Sequence, residues 1–442
     1  MPNPPLMRLL AATALICAVA GPSSAQLPNL GGVVGGVVNQ AQGTLGDVTN
    51  RVGDRVEDAT GRVGDDLRRV RSDRLNALRR QHPDLIDVDR DGAPVIRSQV
   101  LAVAPSAEAL AAAQARGFTV IERSDETALG LSVVTLRAPQ GMSTRRAVET
   151  LRRLDPNGSY DFDHIYIGAG ETSGAVVRAH QPGAAGPVGD ARIGLIDGGV
   201  DAAHPALASV SVHQRGFAGA PRVDAHGTAV ASLLAGESAD FRGAAPGAAL
   251  YVADVYGGSP TGGGAAAILA ALNWLAEQRT PVINISLVGP PNRALEAGVN
   301  AMLQRGVVIV AAVGNDGPSA PPLYPASYPG VIGVTGVDAR DRVLPEAGRG
   351  AQVDWAAPGS DMLAAQPGGG YASVRGTSFA APIVAGLIAR QLAAPSVQSA
   401  AQAQADLLRA AVDLGARGRD PVYGAGLLGE DVRVAPRRVA TR

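Results

Sequence analysis

Residues 191–200 read Ala-Arg-Ile-Gly-Leu-Ile-Asp-Gly-Gly-Val. A short apolar run delivers a carboxylate, Asp197, and two glycines turn the chain immediately after it. Further runs of the same kind follow at Leu250 to Val255, Val282 to Leu287, Val307 to Val313 and Val331 to Val337. Each is continuously apolar rather than alternating, which is the composition of parallel strands covered on both faces. Between them lie Ala265 to Gln278, Arg293 to Gln304 and Phe379 to Leu392, long enough for crossover helices. Strands alternating with helices predict an α/β domain from residue 191 to 442, a three-layer doubly wound and mostly parallel sheet with helices on both faces. In such sheets functional groups gather at the carboxyl ends of the strands, where Asp197 falls.

Upstream, residues 98–167 carry another pattern. An apolar strand (Val100 to Ala104) leads to a helix capped by Ser106 and stopped at Gly117. Strands near Phe118 to Glu122 and Leu129 to Arg137 come next, then a helix from about Ser143 presenting Val148, Leu151 and Leu154 on one side. Tyr160 to Ile167 supplies a last strand. The order β-α-β-β-α-β predicts a ferredoxin-like α+β domain. Residues 168–190, rich in Gly, Ala and Pro, read as an exposed linker.

Residues 26–97 are rich in Gly, Val, Asp and Arg. Leu45, Val48, Val52, Val56, Ala59, Val63, Leu67 and Val70 recur at helical steps, yet Gly46, Gly53, Gly61 and Gly64 would weaken such a helix by roughly 1 kcal/mol each. Met1 to Ala25 has Arg8 ahead of the apolar run Leu9 to Ala20 and small residues at Ser23-Ser24-Ala25, the layout of a secretory signal peptide. The expected destination is periplasm or medium. No later apolar run reaches about 18 residues, so no membrane span is expected.

The composition narrows the chemistry. The 442 residues carry 39 basic and 40 acidic side chains, every basic one an arginine, which disfavours a nucleic-acid partner. With 46% apolar residues the chain can build a sizeable core. The one cysteine, Cys17, lies in the leader, so a mature chain would have no thiol nucleophile and no disulfide. The absence of lysine removes a Ser-Lys dyad.

Three polar elements stand out. Asp197 follows a strand; His226 lies in Asp224-Ala225-His226-Gly227-Thr228, before a small-residue helix; Ser378 opens a helix in Gly376-Thr377-Ser378-Phe379-Ala380-Ala381-Pro382. Singly, each has an ordinary role: a turn-capping aspartate, a loop histidine, a helix N-cap. Together they supply a hydroxyl, a base to take its proton and a carboxylate to orient that base.

These blocks resemble the three active-site blocks of the subtilisin-like serine proteases, over about residues 191 to 429. The resemblance implies that Ser378 attacks the scissile carbonyl, that His226 acts as base and then acid, and that Asp197 orients His226. It implies Asn315, in Gly314-Asn315-Asp316-Gly317, as an oxyanion donor beside the Ser378 backbone N–H. It also implies that Ser286, Leu287, Val288 and Gly289 pair with an extended peptide substrate, and that Ala312, Val313 and Gly314 wall the pocket for the residue before the cut. Leu323 would intrude on that pocket's floor, so a shallow apolar pocket with little charge selectivity is expected. The 98–167 unit resembles the family's propeptides, which assist folding and then occupy the cleft as intramolecular inhibitors.

Some positions depart from the family pattern. Gly198 stands where Ser or Thr is common, and Ala229 where a second His often follows. Residues 236–243 are short for a calcium loop, so no metal and no cofactor is expected. Asn284-Ile285-Ser286 matches a glycosylation acceptor but falls in an expected buried strand. The reading is a secreted, self-processing serine endopeptidase acting on protein or peptide substrates. Its alternative is a catalytically weak subtilase-like peptide-binding or structural module.

Overall fold

The computed structural model describes residues 75–177 and 190–436, all within one compact unit. The signal peptide expected over 1–25 and the helical seam expected over 45–70 lie outside the described residues. Helix α1 is described over 75–81. It leads into β1 (Ile86–Val88), β2 (Pro94–Val103), α2 (Ala107–Ala115), β3 (Thr119–Glu126), β4 (Leu131–Arg137), α3 (Thr144–Leu154) and β5 (Ser159–His164). The strands are antiparallel in the order β5, β2, β4, β3, with β1 paired to the start of β2 on the edge opposite β5. This is the split β-α-β-β-α-β arrangement that the spacing predicts. Ser106 and Ser143 each cap a helix through a bond to the third following N–H. Ala147, Val148 and Leu151 on α3 are buried against the sheet.

Beyond β6 (Ile167–Gly168) and β7 (Glu171–Val177) the second domain begins. Seven parallel strands line up as β17 (Trp355–Pro358), β16 (Ile332–Val337), β15 (Val308–Ala312), β13 (Val282–Ile285), β8 (Arg192–Asp197), β12 (Ala249–Asp254) and β9 (Val212–Gly216). Helices α4 (Ala225–Ala235) and α7 (Thr377–Ala389) pack together in one apolar layer. Helices α5 (Ala265–Glu277) and α6 (Arg293–Gln304) form the other, in a core shared with Leu101, Leu129, Val133 and Tyr166 of the first domain. The expected three-layer architecture is therefore present, with the first domain's sheet laid over α5 and α6. A short hairpin, β10 (Glu237–Ser238) and β11 (Phe241–Arg242), occupies residues 237–242, and helix α8 (Val397–Ala410) follows α7.

Close approach of helix to sheet explains two glycines. A Cβ on Gly194 in β8 would come within 2.9 Å of the Leu275 side chain, and one on Gly227 in α4 within 2.3 Å of the Gly198 carbonyl oxygen. The first domain also completes helices of the second. The N-cap of α5 is Gly264, which has no side chain to offer, and Asp163 Oδ1 accepts the Ala266 N–H at 3.1 Å instead. Asp161 Oδ2 accepts the Arg293 N–H at 2.8 Å at the start of α6. Orphan donors of both helices are thus satisfied from β5.

The exposed linker expected over 168–190 is corrected in its described part. Strand β6 pairs antiparallel with β14 (Leu287–Val288), and β7 pairs with β19 (Tyr371–Arg375), itself paired with β18 (Met362–Ala365). Ala169 is 4% exposed. Small residues serve here to let backbone pass close to other groups: a Cβ on Gly170 would lie 2.5 Å from the Phe379 ring.

Candidate active site

Strand β8 ends by placing Asp197 in the interior, 0% exposed. Its Oδ1 accepts the Gly198 N–H at 2.7 Å, and both carboxylate oxygens lie within 3.0 Å of His226 Nδ1. The imidazole therefore donates from Nδ1 and keeps Nε2 as its basic nitrogen. Burial pushes the Asp197 carboxyl above its usual range, opposed by His226 and the Gly198 amide. His226 is held at the start of α4, whose N-cap Asp224 accepts the His226 and Gly227 N–H groups at 2.8 and 3.0 Å. That cap explains the glycine at 198, since a Cβ there would meet Asp224 Cβ at 2.6 Å.

Ser378 lies in the first turn of α7. The N-cap is Gly376 at φ 135°, so Ser378 is not the cap that its position at a helix start suggests. A Cβ on Gly376 would collide with Gly170 and the Asn315 amide. Ser378 Oγ donates to the Ser286 carbonyl at 3.1 Å, and Ser286 Oγ donates back to the Ser378 carbonyl at 2.9 Å. Asn284 Nδ2 supports Ser286 Oγ from within the core. Asn284 is fully buried, which leaves no room for a glycan.

Asn315 follows β15. Its Oδ1 accepts the Thr377 N–H at 3.1 Å, which turns Nδ2 toward the Ala169 carbonyl oxygen, to which it donates. The Ser378 N–H donates to the same oxygen at 3.1 Å. One carbonyl of the chain thus sits between the two groups expected to stabilise an oxyanion, at the positive end of α7.

The residues around that carbonyl lie along the chain as an extended peptide. Ala169 N–H donates to Ser286 O at 3.2 Å, Gly168 pairs with Leu287, and Ile167 pairs with Val288. Gly289 lies against the Tyr166 ring. Ala312 and Val313 are buried behind the site, and Leu323 Cδ1 would lie 2.5 Å from a Cβ on Gly314, filling the space beside it. Ser286 to Gly289 therefore run alongside residues 166–169, and Leu323 lies against Gly314. Residues that sequence reasoning missed are Tyr256, whose hydroxyl donates to Tyr166 O at 3.1 Å; Gly263, whose carbonyl accepts the Tyr166 N–H at 2.8 Å; and Thr377, whose Oγ1 accepts the Gly314 N–H at 3.2 Å. The Gly-rich turn after β12 was the only local signal for the first two. Among the described residues no group of three His, Cys, Asp or Glu side chains is placed to hold a metal ion.

Fold and site together define a peptidase domain of the subtilisin class. The subtilase family model matches residues 189–426, and the chain belongs to this family of serine peptidases. It is 33% identical over 307 residues to subtilisin E of Bacillus subtilis (strain 168), covering 64% of this chain and 77% of that protein. It is 36% identical over 206 residues to subtilisin Savinase of Lederbergia lenta, covering 46% and 75% respectively. Among solved structures it is similar in fold to fervidolysin from Fervidobacterium pennivorans, described as a keratinolytic enzyme related to subtilisin. That likeness has a TM-score of 0.64 at 20% identity, over 79% of this chain and 62% of fervidolysin.

Proposed function

We propose that the chain is the precursor of a secreted serine endopeptidase with Asp197, His226 and Ser378 as its triad and Asn315 and the Ser378 N–H as its oxyanion hole. Residues 98–167 are its propeptide, and the same site cuts the junction at Ala169–Gly170. The observation that carries this reading is the Ala169 carbonyl oxygen, which accepts hydrogen bonds from both oxyanion donors while its flanking residues pair as an extended substrate.

The reaction then follows from the geometry. Ser378 Oγ turns from Ser286 O toward His226 Nε2, gives up its proton there, and attacks the Ala169 carbonyl carbon. The carbonyl oxygen becomes an oxyanion between Asn315 Nδ2 and the Ser378 N–H, while Asp197 supports the imidazolium. Collapse breaks the bond to Gly170, whose nitrogen takes the proton from His226. Water, activated by His226, releases the Ala169 carboxylate from Ser378. Afterwards the segment up to Ala169 still lies in the cleft as an inhibitor, and extended protein or peptide substrates replace it once it leaves.

The leader-like composition of residues 1–25 supports export. Among the described residues no helix is long and apolar enough to cross a membrane. The test is processing of the purified full chain. Wild type should yield a fragment whose amino terminus is Gly170, whereas Ser378→Ala should remain intact. A non-catalytic peptide-binding module of the same fold would leave both intact and Ser378 unlabelled by a fluorophosphonate.

A further inference from the structure

We infer that the peptidase selects tyrosine over phenylalanine at the fourth residue before the bond it cuts, through the Pro290 carbonyl. The inference rests on the proposed function and deepens it, because it reads residues 166–169 as a bound substrate. Tyr166 is then the fourth residue before the Ala169–Gly170 bond, and its side chain is 0% exposed.

The backbone of Tyr166 is fixed at both polar groups, by Gly263 O and by the Tyr256 hydroxyl. Its ring lies over Gly289, where a Cβ would come within 2.5 Å, so the glycine makes room for an aromatic ring. Size and shape account for that much, and phenylalanine would satisfy them equally. The hydroxyl is different: it donates to Pro290 O at 2.7 Å. Pro290 and Pro291 are consecutive prolines, so their φ angles are locked and neither supplies an N–H. The ring of Pro291 also restricts ψ of Pro290 to the extended region, so the direction of the Pro290 carbonyl is narrowed by the chain itself. The other phenol at this end of the cleft, Tyr328, already donates to Asn292 O at 2.9 Å and accepts the Asn292 N–H at 2.8 Å. Burial holds the Tyr166 phenol protonated, as a donor. A phenylalanine would turn ring hydrogens toward the Pro290 carbonyl and leave it unpaired, the arrangement by which a site built for a hydroxyl rejects the analogue lacking it.

The experiment lets the full-length chain process itself, then compares fluorogenic Tyr-Ile-Gly-Ala and Phe-Ile-Gly-Ala amides. The tyrosine peptide should be cleaved with a kcat/KM about fivefold or more higher. Equal values, or a preference for phenylalanine, would overturn the inference. A second measurement uses the uncleavable Ser378→Ala chain. There Tyr166→Phe should lower the thermal midpoint, and an unchanged midpoint would also overturn it. Failure of the proposed function shows separately, as absent fluorophosphonate labelling of Ser378 in the wild type, and leaves the second measurement to decide.

Discussion

The amide nitrogen of Ser378 stands 3.1 Å from the carbonyl oxygen of Ala169, although 209 residue positions (378 − 169) separate them in the chain. Asn315 Nδ2 donates to the same oxygen. A carbonyl in this position is polarised by two fixed donors that would bind more strongly as it gains negative charge.

Removing one of those donors is therefore expected to slow self-cleavage by about 10²–10³-fold. Asn315→Ala deletes the side-chain donor and leaves the Ser378 amide. Single-turnover conversion of precursor to processed chain, followed on gels, measures the effect. Unaltered conversion would mean that Ala169 is not the carbonyl attacked.

The residue before the cut should be small. Ala169 is almost completely buried, and Leu323 lies against Gly314, next to the Asn315 side chain that donates to the Ala169 carbonyl. Ala169→Phe is expected to slow processing at least tenfold, and adding Leu323→Gly should restore most of the rate, because the second change reopens the floor. Both can be followed by mass spectrometry of the released fragments. If the double variant processes no faster than Ala169→Phe alone, Leu323 does not limit the pocket.

Much of this site is legible before any coordinates, and the reasons are local. Asp197, His226, Asn315 and Ser378 each lie at the end of a strand or the start of a helix with apolar or small-residue character, so their placement follows from element type. The strands at 193, 250, 282, 308 and 332 are legible because burial on both faces demands unbroken apolar runs. Strand β9 is not, since Val212-His213-Gln214-Arg215-Gly216 lies at the sheet's edge and tolerates polar residues. Helix α8 escapes notice for a similar reason: it is rich in Gln and Ala, and Val397 and Leu408 point to solvent. The helix caps supplied by Asp161 and Asp163 carry no local signal, because donor and acceptor lie more than a hundred residues apart. Gly168 and Gly170 mislead, since composition alone does not distinguish glycine chosen for flexibility from glycine chosen for close approach.

Burial of Asp163 is expected to make the stability of the uncleaved chain depend on pH. Burial raises its carboxyl from an ordinary 3.8 to about 6, against the bonds from the α5 amides and the attraction of His164, with Glu122 adding repulsion. The folded chain thus holds a proton that the unfolded chain releases between about pH 4 and pH 6. The stability that this proton contributes is complete below pH 4 and lost as pH rises through 6. Asp163→Asn keeps an acceptor for Ala266 without the charge. In the Ser378→Ala background, its thermal midpoint relative to Asp163 should therefore rise by about 2–4 °C between pH 4.5 and pH 7. A difference that stays constant across that range would remove Asp163 as the cause.

Gly168 and Gly170 flank Ala169 symmetrically in the sequence but not in space. A Cβ on Gly168 would lie 3.5 Å from the His226 ring, an ordinary contact that should even add apolar surface beside the imidazole. A Cβ on Gly170 would lie 2.5 Å from Phe379, whose ring is fully buried at the start of α7 and packs against His226 with centroids 5.3 Å apart. The ring cannot retreat without disturbing either the helix that carries Ser378 or the imidazole itself, so the chain must move, and the Ala169 carbonyl moves with it. A misplacement of the reacting group by about 1 Å can cost on the order of 10²-fold in rate. Gly168→Ala should therefore process within about twofold of wild type, while Gly170→Ala slows by tenfold or more, as read from the rate at which the fragment beginning at residue 170 accumulates. Equal rates for the two variants would show that Phe379 yields, and that the glycine after the cut is not required by the site.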